Sequence, residues 1–340
     1  MKSARKPTVH ILYEFVDGPW GGANQFLRAL RERLRRMEVY EEDPQEADII
    51  IFNSNPANCE ARGTECFKYR RFFKKTIINR VGGPILLARG SDFLMDKAIY
   101  LFNSSFCDGT IFQSSRSMQE NLKLGMRPKP QVVVIPNAPD PAIFHPATSR
   151  LPRQNERIRL ITTSWSPNMR KGFDILQFLD DNLDFQKYIL SFYGNSPVQF
   201  RNIKMFSSVS SRELADILRS QDIYLATSVY EACSNSLLEA LHCGIPAVAR
   251  IGGADRELVG EGGILFTDQT DVIEAIEAVA QNLETFRKNI KPVHLQEVSE
   301  RYYEFCRRTH ETTCEEKKKA RYLDLLHMKA ILYKRKATSA

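Results

Sequence analysis

Residues 223–251, IYLATSVYEACSNSLLEALHCGIPAVARI, constrain the fold more than any other stretch of the chain. IYLATS is a short, continuously apolar run of the kind a parallel sheet buries. Ser234-Asn235-Ser236 supplies N-cap chemistry for a helix whose apolar face is Leu237, Leu238, Ala240 and Leu241. Gly244 and Pro246 stop that helix, and AVARI begins a second strand. Strand, loop, helix and strand in close succession is the building unit of an α/β fold. Glu231 falls in the loop and Glu239 in the first helical turn. Ser236-Leu-Leu-Glu239 fits a capping box, in which the glutamate bonds the N-cap amide. The same junction has a second reading. At the carboxyl end of a parallel strand α/β folds bind ligands, and the amides and dipole of a helix start favour phosphate.

Similar units run along the rest of the chain. A strand over 8–16 leads into Asp17-Gly-Pro-Trp-Gly-Gly-Ala-Asn-Gln and then the helical FLRALRERLRRM. Gly21 and Gly22 there make either a tight turn or a place where backbone approaches a ligand. The loop is not a GxGxxG, which speaks against a dinucleotide site. ADIIIF (47–52) is a second strand. CFKYRRFFKKTIINR (66–80) interleaves Lys68, Arg70, Arg71, Lys74 and Lys75 with Phe67, Tyr69, Phe72 and Phe73. It is a solvated helix burying one aromatic stripe, or a patch for an anionic membrane surface or anionic acceptor. Pro136, Pro139, Pro141 and Pro146 mark a linker. Beyond it RLITTSW (159–165) is a strand followed by a loop carrying Arg170-Lys171-Gly172. Adjacent cations there are either surface charge or a diphosphate site, Arg acting by its planar fork and Lys as a point charge. YILSFYGN (188–195) is another strand, turning at Gly194. Asp180-Asp181-Asn-Leu-Asp184 reads as solvated charge at a helix end, and no Asp-x-Asp metal motif is evident.

Glu231-x7-Glu239, the second Glu opening Glu239-Ala-Leu-x-Cys-Gly-Ile-Pro-Ala-Val248, resembles the donor-site signature of retaining GT-B glycosyltransferases of family 4. The glycine loop, the Pro-Asn-x-x-Asp linker and Arg170-Lys171-Gly172 follow in that family's order. The resemblance implies two Rossmann-like domains facing a cleft, with a nucleotide-sugar held mainly by the second. It implies glycosyl transfer (EC 2.4, a hexose or related sugar) with retention of anomeric configuration, to a glycan, lipid-linked or other hydroxyl acceptor, as in polysaccharide biosynthesis. By the same resemblance Glu231 holds the donor sugar, Glu239 the ribose, and Arg170 with Lys171 the diphosphate. Ser234, Asn235 and Ser236 contact phosphate or sugar, Gly194 packs near the base, Gly21 and Gly22 shape the opposite wall, and Asp17 is an acceptor-side candidate. No cofactor and no metal are expected, the nucleotide-diphosphate sugar being a co-substrate. The sequence departs from the family at Trp165, where many members carry an arginine. Arg150, Arg153, Arg157 and Arg159 are the candidates to replace that charge.

Length sets the expected domain plan. At 340 residues, two domains are the default: an acceptor-side domain over 1–148, a donor domain over 149–300 and a helical extension over 301–340. Net charge is +6 over residues 1–150, −5 over 151–300 and +6 over 301–340, so an anionic partner is expected for the first domain. Seven scattered cysteines without a CxxC suggest neither a disulfide framework nor a zinc site. A reducing cytoplasm fits. There is no apolar run of transmembrane length, and the N-terminus reads as a first strand rather than a signal peptide. The expectation is a cytoplasmic enzyme, at the inner face of the membrane if 66–80 touches lipid. Two other readings stand: a non-catalytic GT-B module that binds nucleotide-sugars or a partner, and a nucleic-acid-modifying enzyme. No nucleic-acid motif accompanies the basic residues of the first half.

Overall fold

The computed structural model describes residues 5–18, 21–148, 157–313 and 320–339. In chain order the first elements are β1 (Val9–Leu12), α1 (Gly22–Arg36), β2 (Ile49–Ser54), α2 (Pro56–Arg71), β3 (Thr76–Val81), α3 (Ile85–Arg89), α4 (Phe93–Phe106), β4 (Gly109–Phe112), α5 (Ser115–Lys123) and β5 (Val132–Val134). There follow β6 (Ile158–Ser164), α6 (Phe173–Asn182), β7 (Tyr188–Gly194), β8 (Lys204–Phe206), α7 (Ser211–Arg219), β9 (Ile223–Ala226), α8 (Asn235–His242), β10 (Ala247–Arg250), α9 (Asp255–Val259), β11 (Gly263–Phe266), α10 (Val272–Gln281) and α11 (Leu283–Asn289). Two helices close the chain, α12 (Leu295–Thr312) and α13 (Tyr322–Ser339).

Two compact units result. The first comprises Met1–Phe15, Leu27–Pro136 and Gln296–Ala340, and the second Val16–Phe26 and Asn137–Leu295. The sequence suggests a boundary at 148 and a separate extension from 301. In the structure the division falls at Pro136, and the last helices are part of the first unit. Arg301 Nη2 donates to the Val134 carbonyl (2.8 Å), Tyr303 to the Pro7 carbonyl (3.2 Å), and Leu325 and Met328 enter the first core. The apolar spacing of α13 is thus partly a packing face.

The first unit is a five-stranded sheet of order β1-β2-β3-β4-β5, every pair parallel. β2 and β3 are buried along their whole length; β2 opens on the apolar run Ile49–Phe52, while β3 also buries Asn79 and Arg80, which hydrogen-bond to Asn103 and Tyr302. The 66–80 segment is not one helix. Its first half ends α2, where Cys66, Phe67, Tyr69 and Arg70 are buried, and its last residues are the buried strand β3.

The second unit is a six-stranded parallel sheet of order β11-β10-β9-β6-β7-β8. From β6 the chain moves outward through β7 and β8, then returns to β9 on the other side. The point of reversal therefore lies between β6 and β9, the place where open α/β sheets bind ligands. One core covers each face, Phe173, Leu176 and Ile276 on one side and Leu237, Leu241 and Ile245 on the other. Asp180, read from sequence as solvated, is buried. It accepts the amides of Arg201, Asn202 and Ile203 (2.7–2.8 Å) and so anchors the approach to β8.

Candidate active site

Three strand ends and one helix start converge at the reversal point of the second sheet. Thr162–Trp165 at the end of β6, Tyr193 and Gly194 at the end of β7, Tyr224–Ser228 at β9 and the first residues of α8 line a cavity of about 340 Å³. That is the size of a small-molecule site. Gly21, Gly22 and Asp255 complete its wall.

The helix start is built by Ser234. Its backbone is extended and its Oγ accepts the Leu237 amide at 3.3 Å. The cap is therefore Ser234 and not Ser236, and the expected Ser236–Glu239 capping box does not form. Glu239 lies past the first turn, only 8% exposed, and lines the cavity. Burial pushes its carboxyl up to about 8. Asn235 is held from below by the linker. Its Oδ1 accepts from Asn137 Nδ2 at 3.0 Å, and the Asn137 amide donates to Cys233 Sγ at 3.4 Å. Gly22 lies against the same side chain, since a Cβ there would come within 2.4 Å of Asn235 Nδ2.

Lys171 is placed by a 3₁₀ turn, Met169–Lys171, pinned to the loop after β9. Thr227 Oγ1 donates to the Lys171 carbonyl and the Val229 amide to the Arg170 carbonyl, both at 2.9 Å. Gly172 closes the turn at φ 87°, in the left-handed region, with Thr227 O only 2.1 Å from where a Cβ would stand. The turn directs the Lys171 ammonium to Glu231, and the two form an ion pair. Ser228 Oγ donates to the same Glu231 oxygen at 3.3 Å. Behind Glu231 the Ala254 amide donates to its carbonyl (2.9 Å), and Gly253 packs directly on its backbone. Asp255 begins α9 beside them, accepts the Gly253 amide at 3.0 Å and is 3% exposed. Burial raises its carboxyl to about 7, and the Glu231 charge adds to the effect.

The fold thus brings Lys171, Glu231, Ser234, Asn235, Ser236, Glu239, Gly194, Gly21 and Gly22 to one cavity. Arg170 and Asp17 are not among the residues that line it. Arg170 contributes backbone to the pinned turn, and Asp17 is exposed. Trp165 lines the cavity at the end of β6. Of the arginines expected to replace the missing cation, Arg150 and Arg153 lie outside the described residues. Arg159 pairs with Asp222 (3.3 Å) and Arg157 donates to the Phe185 carbonyl (3.4 Å), so neither lines the cavity. Sequence reasoning missed Asp255. The signal was the pair Gly252-Gly253 just ahead of it, residues small enough to let α9 start against the Glu231 loop. Chemically the cavity offers one ammonium and a helix start for an anion, and three carboxyl groups for hydroxyls.

Residues 151–282 match the family model described as Glycosyl transferases group 1. That match falls within the second unit, and the chain has the GT-B fold of two parallel-sheet units flanked by helices. A human phosphatidylinositol N-acetylglucosaminyltransferase subunit is 30% identical over 171 residues, 45% of this chain and 34% of that protein. The chain spans between about a third and about half the length of the curated relatives it matches. Among solved structures, sucrose-phosphate synthase from Thermosynechococcus elongatus superposes with a TM-score of 0.72 at 15% identity, over 91% of this chain and 100% of that one. Anabaena HepE in complex with UDP-glucose gives 0.66 at 16% identity, over 90% and 98%.

Proposed function

We propose that the chain is a glycosyltransferase that moves a sugar from a nucleotide-diphosphate donor to a hydroxyl acceptor with retention of configuration. The observation that carries this reading is the convergence of Lys171, Glu231, Glu239 and the α8 N-terminus on one cavity at the sheet's reversal point. In this reading Lys171 and the first amides of α8 face the diphosphate and offset the charge that grows on it as the glycosidic bond breaks. The charge compensation comes from the chain itself, so the reading requires no metal. In this reading Lys171 rather than Arg170 is the diphosphate cation, since Lys171 lines the cavity and Arg170 is not among the lining residues. Glu231 takes sugar hydroxyls, and Glu239 takes the ribose diol. Ribose hydroxyls would give Glu239 the donors that its own carboxylate lacks among the described residues, lowering the cost of ionising it. Asp255, its carboxyl raised to about 7 by burial, serves the sugar side together with Glu231.

The acceptor is assigned more broadly, as a glycan or a lipid-linked hydroxyl. The name of the human relative, a transferase acting on phosphatidylinositol, favours the lipid. A thermal-shift screen of UDP-, GDP- and ADP-sugars tests donor binding, and transfer or hydrolysis of the stabilising donor tests turnover. Failure of every nucleotide-sugar to stabilise the protein overturns the proposal. Trp165, half-exposed where a cation is expected, favours a second reading, a non-catalytic nucleotide-sugar-binding module. Binding without turnover on any acceptor would select it.

A further inference from the structure

The helix α13 is apolar on two sides. Leu325 and Met328 are buried, with Ile331 and Leu332 packed against the same core. On the opposite side Tyr322, Leu323, Leu326 and Tyr333 are 53–78% exposed. At 3.6 residues per turn these four fall within roughly a third of the helix circumference, a stripe on the side away from Leu325 and Met328 that touches the core only through Tyr322. A core-facing helix needs one apolar face, and the second has no use inside the unit. Exposed apolar surface of this extent marks an interaction site.

The stripe continues onto a neighbour. Tyr322 packs on Phe67 of α2 with ring centroids 5.2 Å apart, and the Arg71 guanidinium lies 5.6 Å from the Tyr322 ring centroid. Directly after Arg71 the chain leaves α2 at Phe72 and Phe73, 58% and 45% exposed, and turns at Lys74 in a left-handed conformation (φ 53°). The turn thereby holds two aromatic rings in solvent between cations. Charge on this surface has one sign in excess. Asp324 pairs with Arg321 (2.8 Å), Asp92 with Arg335 (2.8 Å), and Glu60 with Arg335 and Lys336 (3.3 Å to the latter). Lys329 and Lys334 flank the stripe on either side, and Lys68, Arg71 and Lys74 surround the aromatic turn.

We infer that α13, with the end of α2, is a docking surface for an anionic lipid bilayer. Aromatic and leucine side chains in one stripe with lysines at its borders match an interface where headgroups meet acyl chains, the rings entering and the ammonium groups staying at the phosphates. A second copy of the chain fits less well, because the same cations would face each other across the contact. This inference uses only the first unit and is independent of the donor site.

The test is flotation of the full chain with vesicles of phosphatidylcholine alone and of phosphatidylcholine mixed with phosphatidylglycerol. The protein floats with the mixed vesicles and not with the neutral ones, and added salt releases it. Leu326→Glu lowers the bound fraction about tenfold, as does Phe73→Ser, and Lys329→Glu with Lys334→Glu lowers it with the core contacts intact. Each variant is checked for the wild-type thermal transition, and Phe73 lies outside α13, so a misfolded α13 variant leaves Phe73→Ser decisive and the reverse. Lys171→Ala floats as the wild type does. Equal binding to neutral and anionic vesicles overturns the inference, as do folded variants that float unchanged. A solution dimer that Leu326→Glu turns into monomer would give the stripe to a second copy and also overturns it.

Discussion

Lys171 and Glu231, sixty residues apart in sequence, form an ion pair on the wall of the cavity. Both side chains are partly exposed, 31% and 26%. A pair so placed contributes little to stability, of the order of 0–1 kcal/mol. Its value lies in position, because it holds an ammonium on the cavity wall, where the proposed function needs a cation for the diphosphate. Lys171→Ala should therefore leave the thermal transition within about 2–4 °C of wild type and reduce transfer by about 10²–10³-fold. Melting curves and initial rates on one preparation check both. A large loss of stability with unchanged turnover would make the pair structural.

Glu239 makes stability depend on pH in an unusual direction. Its folded pKa is about 8 against an ordinary 4.5, and burial is the cause. The folded state thus holds the proton more tightly than the unfolded chain. The stability linked to this proton is complete below about pH 4.5 and is lost as pH rises towards about 8. Asp255, at about 7, acts in the same sense with its loss ending earlier. Between about pH 5 and about pH 8 the ligand-free protein should lose Tm steadily. Glu239→Gln should flatten that slope, and Glu239→Gln with Asp255→Asn should flatten it further. Parallel slopes in scanning calorimetry for wild type and double variant would show that both carboxyls ionise freely in the fold.

How far the site could be read in the sequence follows from which contacts are local. The strand, helix and strand of 223–251 were legible because an apolar run, a cap and a Gly-Pro stop are all short-range signals. Lys171 and Glu231 were legible as residue types in a motif, but their pairing depends on β6 and β9 lying side by side. The Ser236–Glu239 capping box failed for a long-range reason. Ser234 and Ser236 both suit a cap, and the hydrogen bond from Asn137, 98 residues away, holds Asn235 in the first helical turn and leaves Ser234 as the cap. The return of α12 and α13 to the first unit was hidden for the same cause. Tyr302 meets the buried Arg80 (3.1 Å) across 222 residues, and nothing in the local spacing of α12 signals that partner.

Arg70 is buried completely and pairs with Asp108, 4% exposed, which also accepts the Ile77 amide at 3.0 Å. Sequence reading put Arg70 among the exposed cations of 66–80, and the structure makes it a link between α2, β3 and the start of β4. Removing one member of a buried pair leaves an uncompensated charge, at a cost of about 3–5 kcal/mol. Asp108→Ala should lower the denaturant midpoint accordingly. Arg70→Met with Asp108→Leu, which removes both charges, should recover much of the loss. A single variant as stable as wild type would contradict the pairing.

Gly253 gives the most direct test of how the Glu231 loop is held. A Cβ on residue 253 would stand 1.8 Å from the Glu231 carbonyl oxygen and 2.5 Å from its amide nitrogen, both backbone atoms that cannot rotate away. The loop must shift to admit a methyl group, and the Ala254-to-Glu231 hydrogen bond shifts with it. Overpacking of this kind costs about 1–3 kcal/mol, so Gly253→Ala should fold at reduced Tm. Its effect on ligands should be uneven. In the proposed reading Glu231 holds the sugar while Lys171 and α8 hold the diphosphate. Affinity for the nucleotide-sugar should fall about tenfold, close to 1.4 kcal/mol, and affinity for the nucleoside diphosphate alone should fall less. Calorimetric titration of both ligands into the variant measures the difference, and equal losses would show that Glu231 does not discriminate the sugar.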